Sequence, residues 1–397
     1  MAQLKIGILT YHFSDNYGAL LQAYSLSQWL MHQGHDVEFI NYHPRHVEEG
    51  GEFRRLWDPN RTRANLKIAY LKLSRVQHAL FGNQAMATKF DAFRHDILRV
   101  TGKKLRSLAE VEAYLHTMPQ PYDFIVLGSD QIWAASQQFG LDPVYFADFA
   151  VPASTRRISY APSFGRASIN PAHALELRRM LEGLDGVSVR EQSGAAMAAD
   201  LIDRQVACVP DPTILLGDFR TLTAAPAESQ GHVFCYALRS GQGIREVATH
   251  VAGAANAPIL SPYNPHRRWR EIGRTVFPSP PEWISLLHRA SFVVTNSFHG
   301  TALSINLQRP FVVVSLPGAR RGLNERAINL LEAVGLRHRF IECGDTVAAQ
   351  RLFEEPIDWS ATQAKVEALS ESGRIYLRDK LALPAGRERV QPFCEFG

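Results

Sequence analysis

The chain has 397 residues, 46% hydrophobic and 21% charged, with a formal net charge of +4. That length favours two domains over one core, and the composition excludes a disordered or fibrous chain. The basic residues are scattered apart from His266-Arg267-Arg268-Trp269-Arg270 and Arg320-Arg321, which argues against nucleic acid as a partner, since such proteins carry a longer basic stripe and a reader fold. Cys208, Cys235, Cys343 and Cys394 lie far apart with no Cys-x-x-Cys pair, so neither a zinc site nor a disulfide framework is expected. The first residues lack the basic start and small-residue cleavage site of a signal peptide. No uncharged apolar run is long enough to span a bilayer. A cytoplasmic protein is expected, with no transmembrane segment and peripheral membrane association left open.

Residues 5–10 and 36–41 read as buried parallel strands. Between them Leu20, Leu21, Tyr24, Leu26 and Leu30 line a helix that Gly34 closes. Residues 65–99 have helical composition and read as an insertion at about 60–100, packed on the first lobe. Strands return at 122–127, 157–160 and 186–190. The first lobe then ends near Val209-Pro210-Asp211-Pro212-Thr213. A second series of strands follows at 232–238, 257–260, 291–295 and 310–315, separated by helices at 243–254, 281–289, 300–308 and 324–335. Alternating strand and helix in both halves predicts two doubly wound, Rossmann-like α/β lobes, 1–215 and 216–360. A terminal helix at 366–381 follows within 361–397, placed to dock back on the first lobe, and the tail from 384 is expected to be loose.

Ligands of such sheets bind outside the carboxyl ends of strands. Five segments put polar residues there: Asp15-Asn16-Tyr17-Gly18, Gly128-Ser129-Asp130-Gln131-Ile132-Trp133, Tyr160-Ala161-Pro162-Ser163-Phe164-Gly165, Ser188-Val189-Arg190-Glu191 and Thr295-Asn296-Ser297-Phe298-His299-Gly300. His299 opens a helix, where unpaired N–H groups favour an anion, and it can exchange a proton near neutral pH. It reads either as a catalytic group or as a capping histidine. Arg190 offers a guanidinium fork suited to phosphate or carboxylate, or else a structural ion pair with Glu191. Arg320, Arg321 and Arg326 are further candidates for an anion, set against a solvated loop. Asp130 is the best carboxylate for orienting or deprotonating a hydroxyl, and Trp133 a stacking face for a sugar; an Asx turn and a core tryptophan are the alternatives. Asn16 and Gln22 suit amide hydrogen bonding, although a helix cap explains Asn16 equally well. Asp211, between two prolines, reads as a turn residue rather than a catalytic one. There is no Gly-rich phosphate-loop or dinucleotide fingerprint and no metal-ligand spacing, so no metal, ATP or NAD is expected.

Taken in order, from about residue 6 to about 335, these segments resemble the polysaccharide pyruvyl transferase family. The markers are Asn16-Tyr17-Gly18-Ala19-Leu20-Leu21-Gln22-Ala23, Gly128-Ser129-Asp130-Gln131-Ile132-Trp133, Ser159-Tyr160-Ala161-Pro162-Ser163-Phe164-Gly165, Ser188-Val189-Arg190-Glu191, Asp211-Pro212-Thr213 and Ser297-Phe298-His299-Gly300. The resemblance implies a glycosyltransferase-B-like fold, with acceptor on the first lobe and donor on the second. It implies transfer of a pyruvyl group from phosphoenolpyruvate, a co-substrate rather than a cofactor, to hydroxyls of a cell-surface or extracellular glycan or its precursor, free or lipid-linked, as a cyclic ketal. Relatives contact the donor with an arginine matching Arg190 and with an Arg-Leu-His-Gly segment. Here Ser297 replaces that arginine and Phe298 the leucine, so Arg320, Arg321 or Arg326 is expected to supply the lost charge. The implied roles are His299 as proton donor, Asp130 as base, Arg190, Ser297 and Gly300 on the donor, and Asn16, Gln22, Gln131, Trp133 and Ser163 on the acceptor. Two other readings stay open, because fold does not decide function. One is a glycosyltransferase using a nucleotide sugar held around residues 263–270; the other is a non-catalytic glycan-binding subunit.

Overall fold

The computed structural model describes residues 2–48, 65–66, 69, 73, 84–136, 139–165, 168–223, 231–238, 241–263 and 272–382. In its first half the apolar runs become β1 (Lys5–Leu9), β2 (Asp36–Phe39), β3 (Phe124–Leu127), β4 (Arg156–Ser159), β5 (Ser188–Val189) and β6 (Ala207–Cys208). They pair in parallel in the order β2-β1-β3-β4, and β5-β6 extends that edge through a bridge from Ile158 to Gly186. The second half contains β7 (Val233–Tyr236), β8 (Ile259–Pro262), β9 (Arg274–Val276), β10 (Phe292–Thr295), β11 (Phe311–Val314) and β12 (Phe340–Ile341). Their order, β12-β11-β10-β7-β8-β9, is all parallel. The sheet therefore reverses direction between β7 and β10, as in a dinucleotide-binding fold.

Parallel sheets must be covered on both faces, and the side chains show it. Alternate residues of β7, β10 and β11 divide between two cores: Phe234, Tyr236, Val293, Phe311 and Val313 face one, and Val233, Cys235, Phe292, Val294, Val312 and Val314 the other. The first of these cores runs on into the first lobe, through helix Tyr17–His32. There Tyr17 stacks on Trp283 of the second lobe, with ring centroids 5.5 Å apart, and donates its hydroxyl to the Pro278 carbonyl at 2.7 Å. Apolar burial is worth roughly 25 cal/mol per Å², so a core shared by both lobes fixes their relative position.

Strands β6, β9 and β12 were not expected. Each has only two or three residues, too few to show a period, and forms because a neighbouring strand offers its edge. Helices Leu108–His116, Ala174–Glu182, Gln192–Ile202 and Thr346–Glu354 also go beyond the expected set. Within the expected insertion, helix Gln84–Asp96 is present, and residues 65, 66, 69 and 73 are helical; the remainder lies outside the described residues. This helix packs on the first lobe, with Phe90 against Tyr17, but it also reaches the second, where Lys89 pairs with Glu282 at 2.8 Å. The terminal helix, Trp359–Leu381, docks on the first lobe through the Ser370 hydroxyl, which donates to the Ile214 carbonyl at 2.6 Å. The tail from 384 lies outside the described residues.

Candidate active site

The two sheets present their points of reversal to one another. In the first lobe the reversal lies between β1 and β3, and Gln22 stitches it shut. Its amide nitrogen donates to the Thr10 hydroxyl (2.9 Å) and the Ala19 carbonyl (2.9 Å), while its carbonyl accepts from the Ser129 N–H (3.1 Å). Gln22 is wholly buried with both ends of its amide engaged, so it holds the loop rather than meeting a ligand. In the second lobe Asn296 does the same between β7 and β10, accepting from the Leu238 N–H at 2.9 Å.

Immediately after β10, Ser297 caps helix Phe298–Asn306, its hydroxyl accepting from the Gly300 N–H at 3.3 Å. Serine is among the residues best suited to this cap, and its short side chain is spent on it. His299 follows in the first turn and is 7% exposed. Its ring lies against the start of helix Tyr17–His32: a Cβ added to Gly18 would lie 2.2 Å from the imidazole Nδ1. Gly18 is therefore the point at which the first lobe accommodates the histidine of the second. Gly300 is equally tight, with an added Cβ 2.4 Å from the Thr295 hydroxyl oxygen.

At the centre stands Asp211, whose side chain is fully buried. Its Oδ1 caps helix Pro212–Leu216, accepting from the Thr213 N–H (3.0 Å) and hydroxyl (2.8 Å). Its Oδ2 accepts from Arg190 Nη1 at 2.7 Å and lies 3.6 Å from His299 Nε2. The turn expected at this position is present, but its carboxylate also joins the candidate cation to the candidate acid. Burial alone would raise the pKa of Asp211; the neighbouring His299 and Arg190, with the Thr213 N–H, hold it well below the usual carboxylate range. Asp211-Pro212-Thr213 is one of the family markers, but nothing local in the sequence assigns this aspartate its partners, which lie 21 and 88 positions away.

Arg190 comes off the end of β5 and is buried among carboxylates. Besides Asp211, Glu191 accepts from its Nε at 3.3 Å, and Asp130 Oδ1 lies 3.9 Å from its Nη2. The guanidinium sits 4.7 Å above the ring of Phe298, a cation–π contact. Burial opposes its charge, but Glu191, Asp211 and Asp130 together raise its pKa. Asp130 is partly exposed, with φ of 68°, a left-handed conformation that a non-glycine residue adopts only when its surroundings hold it there.

Arg326 joins this group from the second lobe, lining the same cavity as Arg190, Asp211 and Phe298. Arg320 and Arg321 do not. Both lie on the exposed turn Gly318–Asn324, and Arg321 reaches Glu342 at 3.8 Å instead. Trp133 departs from its expected role: it is 1% exposed, stacks on Phe146 at 4.9 Å and donates its indole N–H to the Tyr145 carbonyl, so neither ring face is available to a sugar. Ser163 is also buried, accepting from the Gly165 N–H at 3.0 Å. Asn16 caps helix Tyr17–His32 while staying partly exposed, and Gln131 stays partly exposed beside Gly165. Of the residues proposed to hold a nucleotide, 264–270 lie outside the described residues. Among the described residues there is no group of three or more metal-ligating side chains, and no helix is long and apolar enough to cross a membrane.

The two facing Rossmann-like lobes with this cleft define a glycosyltransferase-B-type protein. The same fold is found in UDP-N-acetylglucosamine 2-epimerase from Rickettsia bellii (TM-score 0.51, 12% identity, covering 96% of this chain and 97% of that one). The UDP-GlcNAc 2-epimerase from Neisseria meningitidis (0.48, 9%, 96% and 99%) and the glycosyltransferase SnogD from Streptomyces nogalater (0.43, 12%, 95% and 98%) also align. No curated relative matches the sequence. The chain belongs to the polysaccharide pyruvyl transferase family, whose profile matches residues 16–316.

Proposed function

We propose that this protein transfers the pyruvyl group of phosphoenolpyruvate to two hydroxyls of a glycan, forming a cyclic ketal and releasing phosphate. The observation that carries this reading is the buried array Arg190–Asp211–His299, which sets a cation and a proton-exchanging ring on one carboxylate between the lobes. The reaction needs those parts. Protonating C3 of the enol makes C2 electrophilic, and the first sugar oxygen bonds to C2. The C2–O bond to phosphate then breaks, and the second sugar oxygen closes the ring. C3 keeps one proton, and of the two that the hydroxyls lose, one restores the acid and the other leaves with phosphate.

In this scheme His299 delivers the proton to C3, at the positive end of helix Phe298–Asn306. Asp211, with Oδ2 3.6 Å from Nε2, is assigned to keep the imidazole in place, while Arg190 faces the donor's negative charge. Asp130, the more accessible carboxylate, is assigned to orient and deprotonate the sugar hydroxyl. General acid–base help of this kind is worth about 10²–10⁴-fold.

Incubating the full chain with phosphoenolpyruvate and candidate glycans, and reading phosphate release together with the mass of a pyruvate ketal on the glycan, tests the reading. Activity is expected for the native protein, with a loss of about 10²-fold or more in His299→Ala. Transfer of a sugar from a nucleotide sugar, with no pyruvate added to any acceptor, would replace this reading with the glycosyltransferase one. Near-native turnover in His299→Ala would remove the histidine from the chemistry.

A further inference from the structure

Three nitrogens around Asp211 are sealed from solvent and have no hydrogen-bond partner: Arg190 Nη2, Arg326 Nε and His299 Nε2. A buried donor left unsatisfied is costly, and more so when it carries charge. Two of the three belong to guanidiniums that face each other across the lobes, which adds like-charge repulsion. Arg326 shows the consequence: burial first, and then the nearness of Arg190, lower its pKa, only partly offset by the carboxylates of Asp130, Glu191 and Asp211. Asp211 and Glu191 already engage Nη1 and Nε of Arg190, so Nη2, with Asp130 near it at 3.9 Å but beyond hydrogen-bond distance, is the edge of that fork with hydrogen-bonding capacity to spare.

The cavity at this point has a volume of about 120 Å³. The first lobe contributes Arg190 and Cys208 together with the carboxylates Glu191 and Asp211, both turned to Arg190; the second contributes Phe298, Arg326 and Asn329, and the terminal helix closes it with Leu369. A phosphate or carboxylate head is small enough to enter a space of this size.

We propose that Arg190 and Arg326 form a two-guanidinium clamp for an oxyanion between the lobes, so that Arg326 supplies the second cation of the donor site while Ser297 serves as a helix cap. The proposal rests on the phosphoenolpyruvate reading for the identity of the donor, whose phosphate and carboxylate both fit this chemistry. It does not rest on that reading for the clamp itself. Two charge-assisted donors on one anion satisfy both orphaned groups and remove the repulsion between them. The clamp also links donor binding to the relation between lobes, because its arms come from different sheets.

Calorimetric titration of the full-length native protein at low salt with inorganic phosphate, pyruvate and phosphoenolpyruvate, each alone, tests the clamp. The same titrations on Arg326→Met and Arg326→Lys complete the set. Binding of at least one of the three is expected in the native protein, weakened about 10-fold or more in Arg326→Met and less in Arg326→Lys, in line with the loss of one charge-assisted hydrogen bond. Phosphate without pyruvate identifies the phosphate end of the donor as the one held, and pyruvate without phosphate the carboxylate end. Thermal unfolding of each variant checks the fold; if Arg326→Met does not fold, Arg326→Gln carries the same expectation. Equal affinity in native and charge-removed proteins, or no binding of any of the three to the native protein, would overturn the clamp. Arg326-dependent phosphate binding in a protein that transfers no pyruvate would keep the clamp and remove the pyruvyl-transfer reading. Pyruvyl transfer unaffected in Arg326→Met would do the reverse.

Discussion

Gly18 lies within a helix, where alanine is more stable than glycine by about 1 kcal/mol. Propensity alone would favour the exchange. The contact with His299 opposes it, because a methyl 2.2 Å from Nδ1 forces the imidazole to move. Gly18→Ala is therefore expected to leave the melting temperature nearly unchanged, while turnover falls about 10²-fold under the proposed role of His299, the cost of displacing a reacting group by about 1 Å. Phosphate-release kinetics beside a thermal melt would decide; unchanged turnover would show that the ring relaxes without consequence. The motif Asn16-Tyr17-Gly18 was legible in the sequence as a helix start, but its contact with a residue 281 positions away was not. The same holds for Asp211, whose flanking prolines announce a turn and say nothing of what its second oxygen touches. His299 and Arg190 drew attention because they follow strand ends, where this architecture collects ligands, but their meeting at Asp211 was not legible; Trp133 also follows a strand end and yet turns inward to Phe146.

Among the elements, the terminal helix Trp359–Leu381 has the clearest consequence. It begins after Asp358, whose side chain caps the Ala361 N–H, and buries Val366, Tyr376, Leu377 and Leu381. Gly373 lets it come close: an added Cβ would lie 2.5 Å from the Tyr160 hydroxyl oxygen and 3.2 Å from Pro210. Gly373→Val is predicted to destabilise the protein by about 1–3 kcal/mol through overpacking, read as a lower denaturant midpoint at unchanged slope. A midpoint within error of native would mean that the helix slides away from the first lobe without penalty. Periodicity sufficed to place this helix from residue 366 onward. Its first turn from Trp359 and its seating on Pro212–Leu216 depend on packing partners that no local pattern names.

For the whole molecule, the buried charges make stability depend on pH in a defined sense. Asp211 is held below its ordinary pKa in the folded state, so the unfolded chain binds its proton more tightly. Its contribution is present above the ordinary carboxylate pKa and is lost as pH falls below it. Asp142 runs the other way. Burial raises it to about 6, against the hydrogen bonds from the Val144 N–H and the Tyr42 hydroxyl, so it favours the folded state more as pH drops from about 6 towards 4. Denaturation midpoints measured from pH 7 to pH 3 are predicted to fall steeply only at the acid end. In Asp211→Asn the neutral-pH midpoint is lower and the acid slope shallower. An identical acid slope in the two proteins would show that other carboxylates control acid unfolding.

By itself the sequence determined the alternation of strands and helices, the existence of two parallel α/β lobes, and which strand ends carry polar residues. Those properties follow from spacing along the chain, where a buried strand, a capped helix and a tight turn each leave a local trace. Only the tertiary structure decided which of those residues meet. It brought Arg326, and not Arg320 or Arg321, to the cavity beside Arg190, placed Asp211 between Arg190 and His299, and buried Gln22, Trp133 and Ser163. The physical reason is that a site built between two sheets joins side chains distant in sequence. Their burial and charge are set by the neighbours that packing brings, not by the residues beside them in the chain.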